Sequence, residues 1–312
     1  MQGSTQPIKL IVIDIDGTLL DPHRQITQRT RNAIQRAQQA GIIVTLATGR
    51  RYRNTAPIAS ELGLAMPLIL CDGAMIMEHP HSQVLSTQLL DASIAHEVVE
   101  IFVEHGIQPV LHYINGNAEE TWTGHEEFDT QWVKSYFTAS SEGLYRVPHA
   151  ELCTERGDPL RIVAFASREE VYKLSKEICE LACAWNIVGY GNYGCSELAV
   201  MDKACSKAAG VKTLAAHFGI PLEQVMALGD NNNDIEMLQA VGLGVAMGQA
   251  EKHIKAAAHA VTASNAEDGA ALAIEYYALQ EAHAQEVMDD INGIERTIFQ
   301  PAGLSSNRCS AD

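Results

Sequence analysis

Short apolar runs alternate along the first part of the chain with segments whose apolar positions recur at helical spacing. The run over 8–13, interrupted only by Lys9, predicts a strand that is buried on both faces. Residues 42–46 and 67–71 predict two further strands, and helical periodicity lies between the three runs. Strands and helices in alternation predict a parallel sheet with right-handed connections, which is an α/β fold.

This pattern changes near residue 75 and resumes farther along the chain. Between these points, hairpin-like strand pairs and amphipathic helices predict an inserted α+β domain over 84–193. The parallel-sheet core is expected over 1–83 and 194–283, and residues 197–201 are predicted to be its next strand. Residues 284–312 lose their periodicity, which predicts a helical extension followed by a flexible tail.

Composition restricts the class of protein and its partners. The 312 residues are 46% hydrophobic and 20% charged, as is typical of a soluble globular protein. No apolar run approaches the about 20 residues that cross a bilayer, and no secretory signal is visible at the N-terminus. The 7 cysteines show no metal-ligand spacing, so reduced thiols and a cytoplasmic location are expected.

The net charge of −17 disfavours nucleic acids and anionic membranes as partners. A small molecule is therefore the expected partner. If that molecule is an anion, its site must supply local positive charge.

Two carboxylates, Asp14 and Asp16, follow the first predicted strand and precede Gly17. Buried carboxylates are costly unless a cation or hydrogen-bond donors surround them. Open α/β sheets bind ligands at the carboxyl ends of their strands. The sequence therefore predicts a site here, with a solvent-exposed Asp-Gly turn as the alternative.

Other polar segments stand at comparable positions, each after a predicted strand or at the start of a helix. They are Thr48, Gly49 and Arg50 after the second strand, Lys207 at a helix start, and Asp230, Asn233 and Asp234 after a later strand. Phosphoryl transfer requires positioning and charge neutralisation, which such groups supply. Mg²⁺ prefers carboxylate and carbonyl oxygens, and the carboxylates of Asp14 and Asp230 with the backbone carbonyl of Asp16 fit that preference. Because gathered carboxylates repel one another unless a cation holds them, the cluster itself predicts the ion.

The chemistry of phosphate esters assigns a role to each of these groups. Asp14 fits a nucleophile that forms an aspartyl-phosphate. Asp16 fits a general acid that protonates the leaving oxygen and then activates water. Lys207 would bind the phosphoryl oxygens as a point charge, and the Thr48 hydroxyl and Gly49 N–H would donate hydrogen bonds to them. An ordinary exposed position on the helix is the alternative for Lys207.

As a set of four in order, these segments resemble the motifs of the haloacid dehalogenase (HAD) superfamily. The segments are Asp14-Ile15-Asp16-Gly17-Thr18, Thr48-Gly49-Arg50, Ser206-Lys207 and Gly229-Asp230-Asn231-Asn232-Asn233-Asp234. Their spacing is similar to that of the Cof-type phosphatases, which carry a class IIB cap between the second and third motifs. The resemblance covers about residues 8–280 and implies a Rossmann-like core with helices on both faces, with 84–193 as the cap.

The resemblance implies a Mg²⁺-dependent phosphatase of a small phosphorylated metabolite, foremost a sugar phosphate, with Asp14 as nucleophile and Asp16 as acid/base. The implied phosphate-binding residues are Ile15 (through its backbone), Thr48, Gly49, Lys207 and Asn233. The implied Mg²⁺-binding residues are Asp14, Asp16, Asp230 and, indirectly, Asp234. A phosphotransferase or mutase and a non-catalytic ligand-binding regulator are the alternatives. A monomer or a homodimer is expected.

Two residues depart from the usual family pattern. Asp72 stands where many relatives have asparagine, and Ala208 stands where they often have glycine. A carboxylate at position 72 would repel a phosphate but would accept hydrogen bonds from sugar hydroxyls or bind a cationic ligand. The sequence therefore leaves the choice of substrate open.

Overall fold

The computed structural model describes residues 7–139, 143–154, 156–189 and 194–281, together with residues 284, 285, 287, 288 and 291. Contacts within the chain divide it into two compact units. The first unit contains the chain up to Leu85 and again from Ser206 onward, and the second unit is Ser86–Cys205.

The described residues form strands and helices that are numbered separately along the chain. The strands are β1 (Leu10–Ile13), β2 (Ile43–Leu46), β3 (Leu68–Leu70), β4 (Met75–Glu78), β5 (Gln83–Thr87), β6 (Val110–Asn115), β7 (Ala118–Thr123), β8 (Leu144–Arg146), β9 (Arg161–Ala166), β10 (Cys183–Val188), β11 (Ser196–Asp202), β12 (Val225–Gly229), β13 (Leu243–Ala246) and β14 (Ala260–Val261). The helices are α1 (Gln28–Gln39), α2 (Tyr52–Glu61), α3 (Ala92–Glu104), α4 (Gln131–Ala139), α5 (Arg168–Ile178), α6 (Lys207–His217), α7 (Ile235–Ala240), α8 (Lys252–Ala257) and α9 (Gly269–Ala273).

A parallel sheet in the order β14-β13-β12-β1-β2 forms the core of the first unit. Leu10 lies opposite Val225 on one side and Ile43 on the other, so β1 is a central strand. Every residue of β1 is fully buried, which requires cover on both faces of the sheet. The predicted α/β class and the parallel core are confirmed.

The third predicted strand, β3, joins this sheet through a single parallel bridge between Ala47 and Ile69. It then pairs antiparallel with β4, which in turn neighbours β5. The strand predicted over 67–71 thus contacts the parallel core through one bridge and belongs along its length to a short antiparallel sheet.

The second unit contains a mainly antiparallel sheet in the order β10-β11-β9-β6-β7-β8. Leu111 on β6 and Ile162 on β9 lie in the same buried cluster as residues of α3 and α5. Val110 and Val163, their neighbours in the chain, lie instead in a cluster with residues of α4. Because neighbouring strand residues point to opposite faces, helices cover both faces of this sheet.

The strand predicted at 197–201 exists, but its assignment to the parallel core was wrong. As β11 it pairs antiparallel with both β9 and β10, and Val200 lies opposite Ile162 and Trp185. The second unit therefore continues to Cys205, beyond the boundary predicted between residues 193 and 194. The physical reason is that a short apolar strand buries its side chains equally well in either sheet, so its partners are decided by distant parts of the chain.

Part of the predicted C-terminal extension is described. Residues 284, 285, 287, 288 and 291 are helical, and the side chains of Ala284 and Met288 pack against Leu272. The flexible tail predicted for the rest of 284–312 lies outside the described residues. Among the helices that are described, none combines the length and the apolar character that crossing a membrane requires.

Gly73, which follows Asp72, packs so closely against the backbone of Ser206 that it leaves no space for a side chain. A methyl group at Gly73 would overlap the Ser206 carbonyl oxygen, and its φ of +93° disfavours any other residue. We expect Gly73→Ala to lower the free energy of unfolding in urea by about 3 kcal/mol or more. Gly41→Ala is the matched control, since Gly41 has a φ of +82° and open space around it. That control should cost only about 1–2 kcal/mol of backbone strain, and equal losses in both variants would contradict the close approach.

Candidate active site

The carboxyl end of β1 fixes the position of Asp14. Its backbone N–H donates to the carbonyl oxygen of Leu228 on β12 at 3.0 Å, which extends the parallel ladder by one residue. The Asp14 side chain is buried, although its residue follows the strand. The alternative of a solvent-exposed Asp-Gly turn is therefore wrong for Asp14.

Lys207 connects two of the carboxylates that the sequence singled out. Its Nζ donates to Asp14 Oδ1 at 2.6 Å and to Asp234 Oδ1 at 2.7 Å, and its side chain is 1% exposed. Ser206 caps the helix that Lys207 begins, because its Oγ accepts the N–H of Ala209 at 3.1 Å. An ordinary exposed position for Lys207 is excluded by this burial.

Asp234 organises the turn that follows β12. Its Oδ2 accepts the backbone N–H groups of Asp230 and Asn231, each at 3.0 Å, while its Oδ1 accepts from Lys207. A carboxylate offers about four acceptor positions, so these contacts use most of them. Asp234 thus holds both the lysine and the backbone that carries Asp230.

Asp14, Asp230 and Asp234 together form a group of oxygen ligands. One carboxylate oxygen from each lies within 4.8 Å of the others, and within the described chain no other carboxylate joins the group at that spacing. Thr18 Oγ1 and Gln249 Nε2 donate to Asp230 at 3.2 Å and 3.3 Å. Three carboxylates against the single ammonium of Lys207 leave negative charge to be neutralised, and an all-oxygen ligand set is the one that Mg²⁺ prefers. The residues present therefore fit a bound Mg²⁺.

The burial of this group shifts the pKa of its members. Burial raises the pKa of Asp14 well above its usual value, Asp234 and Asp230 raise it further, and Lys207 opposes them. Burial, followed by the charge of Asp234, raises the pKa of Asp230 to about 6. Burial alone would lower the pKa of Lys207, but Asp14, Asp234 and Asp72 together raise it above its usual range. Lys207 is therefore a permanent positive charge, and a bound cation would favour the ionised forms of Asp14 and Asp230, which the fold alone disfavours.

Asp16 does not join this group through its side chain. Arg50 binds its carboxylate with two hydrogen bonds, from Nε to Oδ2 at 2.7 Å and from Nη2 to Oδ1 at 2.5 Å. Arg24 Nη2 lies 3.7 Å from Asp16 Oδ1, and the Asp16 side chain is 49% exposed. Its roles as acid/base and, through its backbone carbonyl, as a metal ligand stay predictions.

Two of the candidate phosphate-binding residues, Gly49 and Asn233, lie next to the carboxylate of Asp72. Thr48 is buried, and its Oγ1 accepts the N–H of Arg50 at 3.1 Å, which leaves the hydroxyl hydrogen to donate to a ligand. The Nδ2 of Asn233 donates to Asp72 Oδ1 at 2.8 Å, and a methyl group on Gly49 would contact the Asp72 carboxylate. Asp72 thus lies between two groups that were expected to bind phosphate.

Asp72 belongs to the site, and the sequence carried a signal for it. It follows β3 just as Asp14 follows β1 and Thr48 follows β2, and its N–H donates to the Thr48 carbonyl oxygen at 3.0 Å. No such signal existed for Gln249, whose Nε2 donates to the Gly17 carbonyl oxygen at 2.6 Å. The backbone of Ile15, also expected to bind phosphate, lies in the helical turn directly after Asp14.

Comparison with known proteins agrees with this geometry. A family model described as haloacid dehalogenase-like hydrolase matches residues 11–274. A putative phosphatase of Haemophilus influenzae is 31% identical over 268 residues, which cover 86% of this chain and 97% of the relative. A 5-amino-6-(5-phospho-D-ribitylamino)uracil phosphatase of Bacillus subtilis is 27% identical over 292 residues, which cover 86% of this chain and 98% of that relative.

Solved structures give the same result. The structure of a sugar phosphatase of HAD subclass IIB matches with a TM-score of 0.71 at 25% identity, covering 86% of this chain and 98% of that one. The match extends over nearly the whole relative, so it includes both units of the fold. With the four motifs in order, and a family match over most of its length, this chain belongs to the haloacid dehalogenase-like hydrolases.

Proposed function

We propose that this protein is a Mg²⁺-dependent phosphatase that hydrolyses a small phosphorylated metabolite through an aspartyl-phosphate on Asp14. The observation that supports this best is the 2.6 Å contact between the Lys207 ammonium and Asp14 Oδ1 in a buried site. A nucleophile held by a permanent cation is positioned for an anionic substrate that would otherwise be repelled. The relatives reported above, whose matches cover 86% of this chain, are named phosphatases.

The mechanism divides hydrolysis into two transfers at phosphorus. In the first, a carboxylate oxygen of Asp14 bonds to phosphorus while the bond to the leaving oxygen breaks, and Asp16 gives that oxygen a proton. In the second, Asp16 takes a proton from water, which attacks phosphorus and releases phosphate and a free Asp14. Lys207, the Thr48 hydroxyl and the Gly49 N–H would stabilise the phosphoryl oxygens in both transfers.

Asp14, Asp230 and the backbone carbonyl of Asp16 would hold Mg²⁺, with Asp234 fixing the loop that carries Asp230. When bound, the ion would neutralise phosphoryl charge and bring the substrate to Asp14. The arrangement of the carboxylates already supports this, since they gather without enough positive charge from the protein itself.

Sugar phosphates are the substrate class that we propose first. The named relatives act on a sugar phosphate and on a phosphorylated ribitylamino compound, which share a polyhydroxylated leaving group. In this chain, the Asp72 carboxylate lies beside Gly49 and Asn233, and a carboxylate accepts hydrogen bonds from hydroxyls.

Phosphate release from a panel of phosphorylated metabolites, measured with Mg²⁺ and no added acceptor, tests the proposal. A phosphatase releases one inorganic phosphate for each ester consumed. A phosphotransferase or mutase would instead move the phosphoryl group to a hydroxyl, with less phosphate released than ester consumed. A ligand-binding regulator would bind members of the panel and release nothing, and either of these results would contradict the proposal.

We expect Mg²⁺ to stabilise the fold and to do so more strongly as the pH rises. Because the pKa of Asp230 is about 6 in the fold and 3.8 ordinarily, the folded protein without metal binds extra protons between these values. The contribution of Asp230 to the free energy of unfolding therefore falls as the pH rises through that range. At the same time, ionised Asp230 becomes available to Mg²⁺. The rise in melting temperature on adding Mg²⁺ should be larger at pH 7.5 than at pH 5.

Asp230→Asn is the control for this experiment, because it removes the titrating ligand but keeps its shape. In that variant the effect of Mg²⁺ should be small at both pH values, and EDTA should change little. A stabilisation by Mg²⁺ that is equal at pH 5 and pH 7.5 in the unaltered protein would contradict the site.

A further inference from the structure

A surface cavity of about 450 Å³ adjoins the candidate acid/base Asp16 within the first unit. The loop after β1 and the helices α1 and α2 line it. Its charged lining residues are Arg24, Arg31, Arg50 and Glu61. Three guanidinium groups against one carboxylate give this cavity a positive excess in a protein whose net charge is −17.

The arginines of the cavity divide into two sets. Arg31 is balanced by Glu61, since its Nη2 donates to Glu61 Oε1 at 2.6 Å and its Nη1 to the Glu61 carbonyl oxygen at 3.0 Å. Arg24 and Arg50 both approach the same carboxylate, that of Asp16. The positive excess therefore lies on the side of the cavity that faces Asp16.

The contact with Asp16 shows which ligand chemistry this arginine pair accepts. Arg50 binds the Asp16 carboxylate with two parallel hydrogen bonds, which is the geometry that guanidinium groups use for carboxylates and phosphates. The Asp16 carboxylate lies outside the group formed by Asp14, Asp230 and Asp234, so as the acid/base it would turn from the arginines toward a leaving oxygen near Asp14. When it does, two guanidinium groups lose their shared carboxylate.

A second anionic group on the substrate would take the place of the Asp16 carboxylate, so that Arg24 and Arg50 would again face a negative charge. Because one oxyanion leaves the arginines as another arrives, the exchange avoids the penalty of stranding charge. Asp14 and Asp16 are two residues apart and so lie at most roughly 7 Å apart along the backbone. The second anion would therefore lie only a few bonds from the scissile oxygen.

We propose that this cavity, which we call the arginine cavity, binds a second oxyanion on the leaving group of the substrate. Binding of that carboxylate or phosphate to Arg24 and Arg50 releases Asp16 for its role in catalysis. The inference rests on the proposed phosphatase function and narrows its substrates to short metabolites that carry a second negative group.

Matched pairs of esters test this inference. 3-Phosphoglycerate has a carboxylate where glycerol 3-phosphate has a hydroxymethyl group. Fructose 1,6-bisphosphate has a second phosphate that fructose 6-phosphate lacks. We expect kcat/KM with Mg²⁺ to be about tenfold higher or more for the anionic member of a pair, a ratio worth about 1.4 kcal/mol. The two pairs also show whether the cavity prefers a carboxylate or a phosphate.

Variants of the cavity separate this effect from general electrostatics. Arg24→Gln should bring the ratio within a pair toward one, because Arg24 is one of the two arginines that would bind the second anion. Arg29→Gln is the control, because Arg29 lies two residues from Arg31 on α1 but pairs with Glu275 at 2.7 Å instead of lining the cavity. Arg29→Gln removes the same charge and should leave the ratio of kcat/KM within each pair unchanged.

Binding to Asp14→Asn separates this inference from the proposed function. In calorimetric titrations of this variant with Mg²⁺, the anionic member of each pair should bind more tightly, and Arg24→Gln should remove the difference. If no ester is hydrolysed but this preference holds, the phosphatase proposal fails and the cavity assignment stands. A ratio near one in the unaltered protein, or a ratio that survives in Arg24→Gln, would overturn the cavity assignment.

Discussion

Replacing Asp14 with asparagine is expected to lower Mg²⁺-dependent phosphate release by about 10³-fold or more, the scale of losing a covalent nucleophile. The amide keeps the shape of the side chain but cannot form the acyl phosphate. The measurement is kcat on the best ester of the panel, at a pH where the unaltered protein is fully active.

Loss of stability would not explain that result. Burial raises the pKa of Asp14, which means that the fold disfavours its ionised form, so a neutral amide relieves this cost without metal. We expect the unfolding free energy of Asp14→Asn to equal or exceed that of the unaltered protein in EDTA. Glu100→Gln, which removes an exposed carboxylate from α3, should leave activity unchanged. An active Asp14→Asn would contradict the assignment of the nucleophile.

Replacing Lys207 with methionine is expected to affect stability and activity together. Its ammonium is buried and serves two buried carboxylates, at 2.6 Å from Asp14 and 2.7 Å from Asp234. Breaking a buried pair from one side leaves uncompensated charge, which costs about 3–5 kcal/mol of unfolding free energy. Phosphate release should also fall steeply, since the phosphoryl oxygens would lose their closest fixed cation.

The same helix supplies the control for this variant. Lys212→Met removes an exposed lysine of α6 and should change the unfolding free energy by less than about 0.5 kcal/mol. The double variant Lys207→Met with Asp14→Asn should be more stable than the sum of the two single changes in unfolding free energy predicts, because the carboxylate that Lys207→Met leaves unpaired is then absent. Additive changes in unfolding free energy would mean that Lys207 and Asp14 do not interact in solution.

The parts of the fold that the sequence predicted correctly depend on local patterns. Strand β1 is a continuous apolar run, and a run of that kind is stable only when both faces are covered, which is how Leu10–Ile13 is found. The turns after β1 and β12 were also predictable, because polar residues directly after buried strands must lie at one edge of a parallel sheet. The start of α6 at Lys207 was predictable as well, because Ser206 precedes it and serine is a favoured N-cap residue.

The parts that were missed depend on contacts between distant residues. Residues 198–201 of β11 are a short continuous apolar run that is buried throughout, so nothing in the strand itself shows which sheet it joins. Arg50 reaches Asp16 across 34 positions of sequence through a long and flexible side chain. Asp72 was singled out in the sequence, but its left-handed conformation with a φ of +54° and its contact with Asn233 were not predicted.

In the proposed mechanism, Asp14 carries the phosphoryl group between the two transfers. Asp16→Asn with p-nitrophenyl phosphate and Mg²⁺ tests it directly, because this ester needs little acid assistance for its first step, whereas release of the phosphoenzyme needs the base. We expect a burst of about one nitrophenolate per site, and acid-quenched peptides should carry phosphate on Asp14. No burst, or phosphate attached to any other residue, would contradict the account.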